Sequence, residues 1–523
     1  MNGIFTKSKC IFYFLIVIFS GTLVFSSCKS YNRNSTHQKV SFSSIKKGEE
    51  LAKIYCQSCH QLPDPSLLDS KTWEKGVLPQ MGPRLGIFSY GFEIYPTITD
   101  KNIGQDFYPQ KPVITFNEWQ NILDYYEATS PDSLPSQQRK NAINVRLPLF
   151  QVLVPEINYP DPATCYVKIT NDSLHRFIIS DALKQNIYFL NDKFQFTDSV
   201  QNSGPVVDMD FEKNEILACN IGVLNPNNGK FGKAERIFLN ANGKYEKDGS
   251  ALIDGLQRPV QILSADLNND GKEDYITCEF GFLTGGLTWS ENVGNNEFKK
   301  HILRGVPGAI KVYLQDYNHD GLMDIWALFS QGEEGVFLFT NKGKGNFDQE
   351  EVLRFPPSYG SSSFELVDFD KDGFNDIIYT CGDNADYSVI LKPYHGVYIF
   401  INDKSNHFKQ KYFFPINGCY KAIARDFDGD GDLDIATISF FADYEHQPGE
   451  SFVYLENKGN FNFEPYSFPE AKRGRWLTMD AGDFDNDGKT DLILGNFSIG
   501  PVDMKHEDWS AFPPFIVLKN LGK

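Results

Sequence analysis

Five short acidic segments of one pattern, evenly spaced, limit what the second half of this 523-residue chain can become. The first reads Asp266-Leu-Asn268-Asn-Asp270-Gly-Lys-Glu-Asp274. The others run from Asp316 to Asp324, Asp368 to Asp376, Asp426 to Asp434 and Asp483 to Asp491, all fitting Asp-x-Asp/Asn-x-Asp-Gly-x-x-Asp. Their starts lie 50, 52, 58 and 57 residues apart, the period of one propeller blade. A β-rich run follows the ninth position, such as Tyr-Ile-Thr-Cys278, Ile-Ile-Tyr-Thr380 or Leu-Ile-Leu-Gly495.

The oxygen spacing suits a hard cation such as Ca²⁺, up to five ions in all. Position 1 is Asp266, Asp316, Asp368, Asp426 or Asp483, and position 3 is Asn268, Asn318, Asp370, Asp428 or Asp485. Position 5 is Asp270, Asp320, Asp372, Asp430 or Asp487, and position 9 is Asp274, Asp324, Asp376, Asp434 or Asp491. The position-7 carbonyl completes the set, and glycine at position 6 permits a sharp turn. Position 12 holds Thr277, Ala327, Tyr379, Thr437 or Leu494, never the bidentate Glu of an EF-hand. A plain Asp-rich turn is the alternative, and fivefold recurrence speaks against it. These segments resemble the FG-GAP/VCBS repeats of calcium-bearing β-propellers, including the head of integrin α chains.

Upstream, Val206-Val-Asp208-Met-Asp210-Phe-Glu212 reads as a further copy without its glycine and last aspartate, 58 residues before the first full one. Cys165-Tyr-Val-Lys-Ile, Arg176-Phe-Ile-Ile-Ser and Asn186-Ile-Tyr-Phe-Leu read as strands of another blade. The expectation is an all-β seven-bladed propeller over residues 146–523, with metal in five blades. The last blade ends early at Phe515-Ile-Val-Leu-Lys519, so Leu147 to Leu153 is expected to supply its outer strand and close the ring.

A different chemistry precedes the propeller. Cys56-Gln-Ser-Cys59-His60 is the attachment signature of c-type haem: two thiols for two thioethers, and an imidazole beside the second. Half a zinc site or a redox pair would share the Cys-x-x-Cys. Residues 40 to 160 offer zinc no other Cys or His, and no βαβ pattern surrounds the motif. Met81 stands alone between Met1 and Met209 and is the candidate sixth ligand, with Pro79, Gly82 and Pro83 expected to hold an extended loop. Ser44 to Ile54 reads as a helix, and Thr115-Phe-Asn-Glu118 is a capping box before another. Residues 42 to 130 resemble the cytochrome c family, whose terminal helices cross beside the haem. The resemblance implies a small all-α domain at 44–130 with one covalent haem c, attached at Cys56 and Cys59 and ligated by His60 and Met81.

Lys7 and Lys9 before the apolar run Ile11 to Ile18 read as a signal peptide over 1–27. Phe25-Ser-Ser-Cys28 resembles the bacterial lipoprotein box, which implies lipidation of Cys28, a tether over 28–43 and a membrane anchor facing periplasm or cell exterior. Residues 131–145 read as a polar linker allowing relative motion. The formal net charge of −18 and pI near 5.0 disfavour nucleic acid. Cys219, Cys278 and Cys381 recur near strand 2 of different blades and read as small buried side chains.

If the acidic loops are turns between strands 1 and 2, the connections between strands 2 and 3 form the opposite face. That face carries the long segments Asn220 to Glu235, Gly382 to Gly396, Phe440 to Glu450 and Asn496 to Pro514. They hold Asp386, Tyr387, Lys392, Tyr394, His395, Asp443, Tyr444, Glu445, His446, Asp503, Lys505, His506 and Trp509, while strand starts add Arg258, Lys311, Lys421, Arg473, Arg475 and Trp476. No nucleophile elbow, phosphate loop or dinucleotide fingerprint is present, and no catalytic residue is assigned. The first reading is electron transfer to or from a redox partner protein. A haem-coupled oxidoreductase of a sugar or alcohol is second, and a polysaccharide-binding or lyase propeller third.

Overall fold

The computed structural model describes residues 40–172, 174–212, 215–385, 387–500 and 507–523. The segment read as a signal peptide, Cys28, most of the expected tether, Asp386, Asp503, Lys505 and His506 lie outside the described residues. No helix among the described residues is long and apolar enough to cross a membrane.

Two helices frame the N-terminal unit, α1 (Phe42–Tyr55) and α2 (Phe116–Thr129). The capping box forms as the sequence requires: the Glu118 N–H donates to Thr115 Oγ1 at 3.2 Å, and the Glu118 carboxylate accepts the Thr115 N–H at 2.8 Å. The helices cross at Gly48, where a Cβ would sit 1.8 Å from the Asn121 carbonyl oxygen, so only glycine allows this approach. Ile45, Leu51, Leu68, Trp73, Trp119, Ile122 and Tyr126 form the core beneath them. Leu78–Met81 and Gly82–Leu85 are consecutive helical turns, not the extended loop anticipated around Met81. Pro79 and Pro83 each sit in the first turn of one of these segments, where a missing N–H costs nothing.

The remainder is a seven-bladed propeller of antiparallel sheets, six with four strands and blade 2 with five. Blade 1 spans Thr164–Ile169, Phe177–Asp181, Asn186–Leu190 and Phe196–Gln201. The inner strands of blades 2 to 7 are Val206–Phe211, Pro259–Ala265, Ala309–Gln315, Ser361–Val367, Cys419–Arg425 and Trp476–Gly482. Phe150–Leu153 pairs antiparallel with Phe515–Asn520, Phe150 facing Asn520 and Leu153 facing Val517. The expected closure therefore occurs, and it covers the edge blade 7 would otherwise expose.

Each junction between blades is stitched by an inner-strand side chain reaching the next inner strand's backbone. Cys165 Sγ lies 3.3 Å from the Val206 carbonyl, Asp210 accepts the Ser264 N–H at 2.9 Å, and Gln261 accepts the Val312 N–H at 2.6 Å. The Tyr313 hydroxyl donates to the Phe364 carbonyl at 3.2 Å, and Glu365 accepts the Ala424 N–H at 2.8 Å. Lys421 donates to the Met479 carbonyl at 2.8 Å, and Asp480 accepts the Ile169 N–H at 2.9 Å, joining blade 7 to blade 1. The side chains that stitch the junctions are thus hydrogen-bonded without a ligand, whereas Asp208 Oδ2 on the inner strand of blade 2 is buried with no hydrogen-bond partner among the described residues.

Two expectations change here. Val206 to Glu212 is not a degenerate acidic loop: Val206–Phe211 is itself the inner strand, in which Asp208 pairs with Cys219. Asp208 and Asp210, two apart, share one strand face, and Asp210 serves blade 3. The linker is also no free hinge. Gln137 donates to the carbonyls of Lys392 and His395 at 3.1 and 2.9 Å, and Arg139 pairs with the buried Glu450. Asn144 then bridges to Tyr466 on the outer strand of blade 6.

Candidate functional site

The five acidic loops each connect strands 1 and 2 of a blade. Both oxygens of the position-1 aspartate accept backbone N–H groups of the loop: Asp266 takes those of Asp270 and Gly271 at 3.1 and 2.8 Å, and Asp483 takes those of Asp487 and Gly488 at 3.1 and 2.9 Å. The position-6 glycines Gly271, Gly321, Gly373, Gly431 and Gly488 all have φ between 80° and 96°, the left-handed turn expected of them. Three loops gather carboxylate oxygens within 4.8 Å of one another: Asp368 with Asp370 and Asp376, Asp426 with Asp428 and Asp430, and Asp483 with Asp485 and Asp491. In the other two, position 3 is the neutral Asn268 or Asn318, with Asp316 and Asp320 beside the latter.

The position-9 aspartates do a second job that sequence reasoning missed. Asp274, Asp324, Asp376, Asp434 and Asp491 are buried. Each accepts the backbone N–H of an asparagine at or near the end of strand 3, at 2.8 Å from Asn292, 2.7 Å from Asn341, 2.9 Å from Asn402, 2.7 Å from Asn457 and 2.7 Å from Asn520. Each asparagine amide returns to the carbonyl preceding its aspartate, as Asn341 does to Met323 at 3.1 Å and Asn520 to Thr490 at 3.1 Å. Burial pushes Asp376 and Asp491 up to about 6 and Asp434 up to about 7. The recurring Asn-x-Gly at Asn292, Asn341, Asn457 and Asn520 was the available signal.

Cys56, Cys59 and His60 follow directly from α1. The two thiols are free, Cys56 half-buried and Cys59 exposed, and burial with Cys59 alongside pushes the Cys56 thiol up to about 12. His60 Nδ1 donates to the Gln61 carbonyl at 2.9 Å, which leaves Nε2 as the nitrogen carrying the lone pair. Burial lowers the ring from its usual range, which favours the uncharged form that a metal ligand needs. Gln61 Oε1 beside it is buried with no hydrogen-bond partner among the described residues. Met81 and Cys56 pack against the same apolar core. Two free thiols, a neutral imidazole with an open Nε2, a thioether on the shared core and an orphaned polar atom are a donor set that fits haem c.

The helical unit sits on the propeller face formed by the 2–3 connections. The Tyr394 hydroxyl of blade 5 donates to the Leu67 carbonyl at 3.0 Å, and Ile390 packs against the helical core. A Cβ on Gly76 would meet the Tyr387 carbonyl oxygen at 2.4 Å. In blade 2, Asn228 donates to Asp100 at 3.3 Å. Several of the residues named on the long segments and strand starts are interior. His395 and Lys392 are buried, the latter donating to Asn384 at 2.9 Å. Trp509 is buried with its indole N–H on the Lys472 carbonyl, and Arg475 lies 3.7 Å over the Phe440 ring. His446 remains at the surface, bonded to Asp443 at 3.0 Å.

Residues 266–327, 316–379 and 426–494 match the model of the FG-GAP-like repeat, and these spans contain all five acidic loops. The propeller carries FG-GAP-like repeats. No curated protein matches the chain. Among solved structures, the chain is similar to Saccharomyces cerevisiae Sqt1, at 8% identity over 71% of this chain and 99% of that one, with TM-score 0.43. A second similarity is to an S. cerevisiae complex of a Dbp5 variant with Nup159, a Gle1 variant, IP6 and ADP, at 9% identity over 74% and 99%, with TM-score 0.40. A third is to a luciferin-regenerating enzyme, at 10% identity over 71% and 96%, with TM-score 0.35.

Proposed function

We propose that this chain is an exported, lipid-anchored monohaem c-type cytochrome that transfers electrons, with a calcium-stabilised propeller that docks the redox partner or substrate. One observation carries the reading: Cys56, Cys59 and His60 belong to a compact helical unit fixed on the loop-rich face of the FG-GAP-like propeller. Cys56, Cys59, His60 and Met81 would hold the haem, and the group would supply reversible one-electron chemistry. The chain's own residues supply the setting. The Gln61 carbonyl fixes the His60 tautomer, and the core around Trp73 and Tyr126 excludes water. The five loops would each hold a Ca²⁺ through positions 1, 3, 5 and 9, neutralising aspartates that otherwise repel.

The surface loop with Asp443 and His446 remains on the same face as the helical unit and is the proposed contact for the donor. The test offers a panel of protein and organic donors to the full chain and follows haem reduction in the visible spectrum. A donor whose reduction rate falls in His446→Ala, with the haem potential unchanged, supports the reading. Wild-type rates in that variant for every donor would leave the propeller a scaffold or carbohydrate-binding module.

A further inference from the structure

One stretch of the helical unit is apolar and turned outward. Between Arg84 and Asp100 the sequence has a single charged residue, Glu93, among Phe88, Tyr90, Phe92, Ile94 and Tyr95. Its centre is a hairpin in which Ser89 faces Ile94 and Tyr90 faces Glu93. Phe92 at the turn is fully exposed and Ile94 is 88% exposed, more than any other large apolar side chain among the described residues. A two-stranded hairpin is marginal on its own, and this one is tied down. Buried Tyr95 accepts the Trp119 indole N–H at 3.1 Å, and the Tyr90 hydroxyl donates to Gln120 Oε1 at 2.5 Å. Lys75 lies 3.0 Å from Glu93 and neutralises its charge. The apolar surface continues through exposed Phe116, whose ring centroid is 6.1 Å from that of Tyr90. A fixed aromatic tip without net charge is unfavourable in water and suits the boundary between lipid headgroups and acyl chains.

The place where the chain enters the unit says what lies opposite this tip. Gln120 Nε2 donates to Asp124 Oδ1 at 2.8 Å, and the Ser44 hydroxyl bonds the other oxygen of Asp124. The Ser44 N–H donates in turn to Ser41 Oγ at 3.1 Å. The hairpin and the start of α1 thus share one polar relay on one side of the unit. Val40 is twelve residues from Cys28, a reach of at most about 43 Å for an extended chain. A lipid on Cys28 would keep this side of the unit within that distance of the bilayer. The contacts that dock the unit on the propeller are made elsewhere, by Leu67, Gly76 and Asp100.

We infer that the Ser89–Ile94 hairpin is a membrane-docking tip, with Phe92 and Ile94 entering the interfacial layer of the bilayer that holds the lipid anchor. The inference rests on the lipid-anchor reading above. Lipid and hairpin together give two points of attachment, which fix the orientation of the helical unit where a tether alone leaves it free to turn.

The experiment is lipid photo-crosslinking of the full chain in vesicles of phosphatidylethanolamine and phosphatidylglycerol carrying a diazirine on the acyl chain, with adducts mapped by mass spectrometry. Adducts are expected at residues 88–95 and should fall at least tenfold when Phe92→Ser and Ile94→Ser are combined. Both side chains are exposed, so the double variant keeps the fold. The mass of the Cys28 peptide reports the anchor separately. A lipidated chain with no adducts at 88–95 would overturn the inference and leave the anchor standing. A chain with neither lipid nor adducts would overturn both, whereas adducts at 88–95 without the lipid support the tip and overturn the anchor. Amide exchange at 88–95 that slows with protein concentration in the absence of vesicles would assign the patch to a second copy of the chain and overturn the inference. No adducts there, with slower haem reduction by a protein donor in the double variant, would assign it to that donor and overturn it equally.

Discussion

The Tyr394 hydroxyl of blade 5 donates to the Leu67 carbonyl of the helical unit at 3.0 Å, just beyond the His60 motif. Tyr394 is also stacked on Tyr359, with ring centroids 4.7 Å apart, so the donor is held by blade 5. Removing the hydroxyl in Tyr394→Phe leaves the stack and takes away one interfacial hydrogen bond. We expect a loss of about 0.5–1.5 kcal/mol in docking. Faster amide exchange at residues 60–67, with unchanged exchange in blade 1, is the readout. Unchanged exchange at 60–67 would mean that the remaining contacts, at Ile390, Gly76 and Asn228, fix the unit without this bond.

Calcium removal should act on the propeller and spare the helical unit. Chelation is expected to lower the melting temperature of the propeller transition, since binding to the native state alone stabilises by mass action. Asp428→Ala should remove a single ion and leave four, because Asp428 belongs to the one cluster with Asp426 and Asp430. Equal melting temperatures in excess chelator and in calcium would exclude the calcium assignment.

The clasp between position 9 and strand 3 should matter independently of any ion. Asn341 is buried, donates to the Leu267 carbonyl at 2.9 Å and accepts the Gly343 N–H at 2.9 Å. Asn341→Ala leaves those groups unpaired in the interior and should cost about 1–3 kcal/mol per orphaned group, read by urea denaturation in saturating calcium. A cost near zero would show that solvent or a neighbouring group replaces the clasp.

The acidic loops, the ring closure by Phe150–Leu153 and the capping box at Thr115 were legible because each is a local pattern with fixed spacing. Asp208 was misplaced because an alternating strand carrying two aspartates mimics the start of an acidic loop, and only its pairing with Cys219 fixes the register. His395 and Lys392 looked available because loop composition does not reveal which side chains turn inward. The docking of Arg139 on Glu450 depends on residues over three hundred positions apart, and no local signal encodes that.

A pH dependence is expected from Glu334. It is buried, accepts from Ser361 Oγ at 2.6 Å and the Ser361 N–H at 2.8 Å, and burial pushes it up to about 7 from its ordinary 4.5. The folded state therefore binds the proton more tightly than the unfolded one. Its contribution is fully present below 4.5 and is lost as pH rises through about 7. Glu334→Gln, which cannot ionise, should gain stability relative to wild type on going from about pH 5 to about pH 8. A constant difference between the two proteins across that range would contradict the shift.

The most direct measurement is the haem itself. The full-length protein, denatured and extracted, should retain one covalently bound haem c by its pyridine haemochrome spectrum, and Cys59→Ala or His60→Ala should abolish the normal low-spin spectrum. Met81→Ala should keep the covalent haem and lose the weak far-red band of a methionine–ferric iron bond. A protein that releases all its haem on extraction, or that carries none, would contradict the account. A far-red band surviving in Met81→Ala would contradict the sixth-ligand assignment.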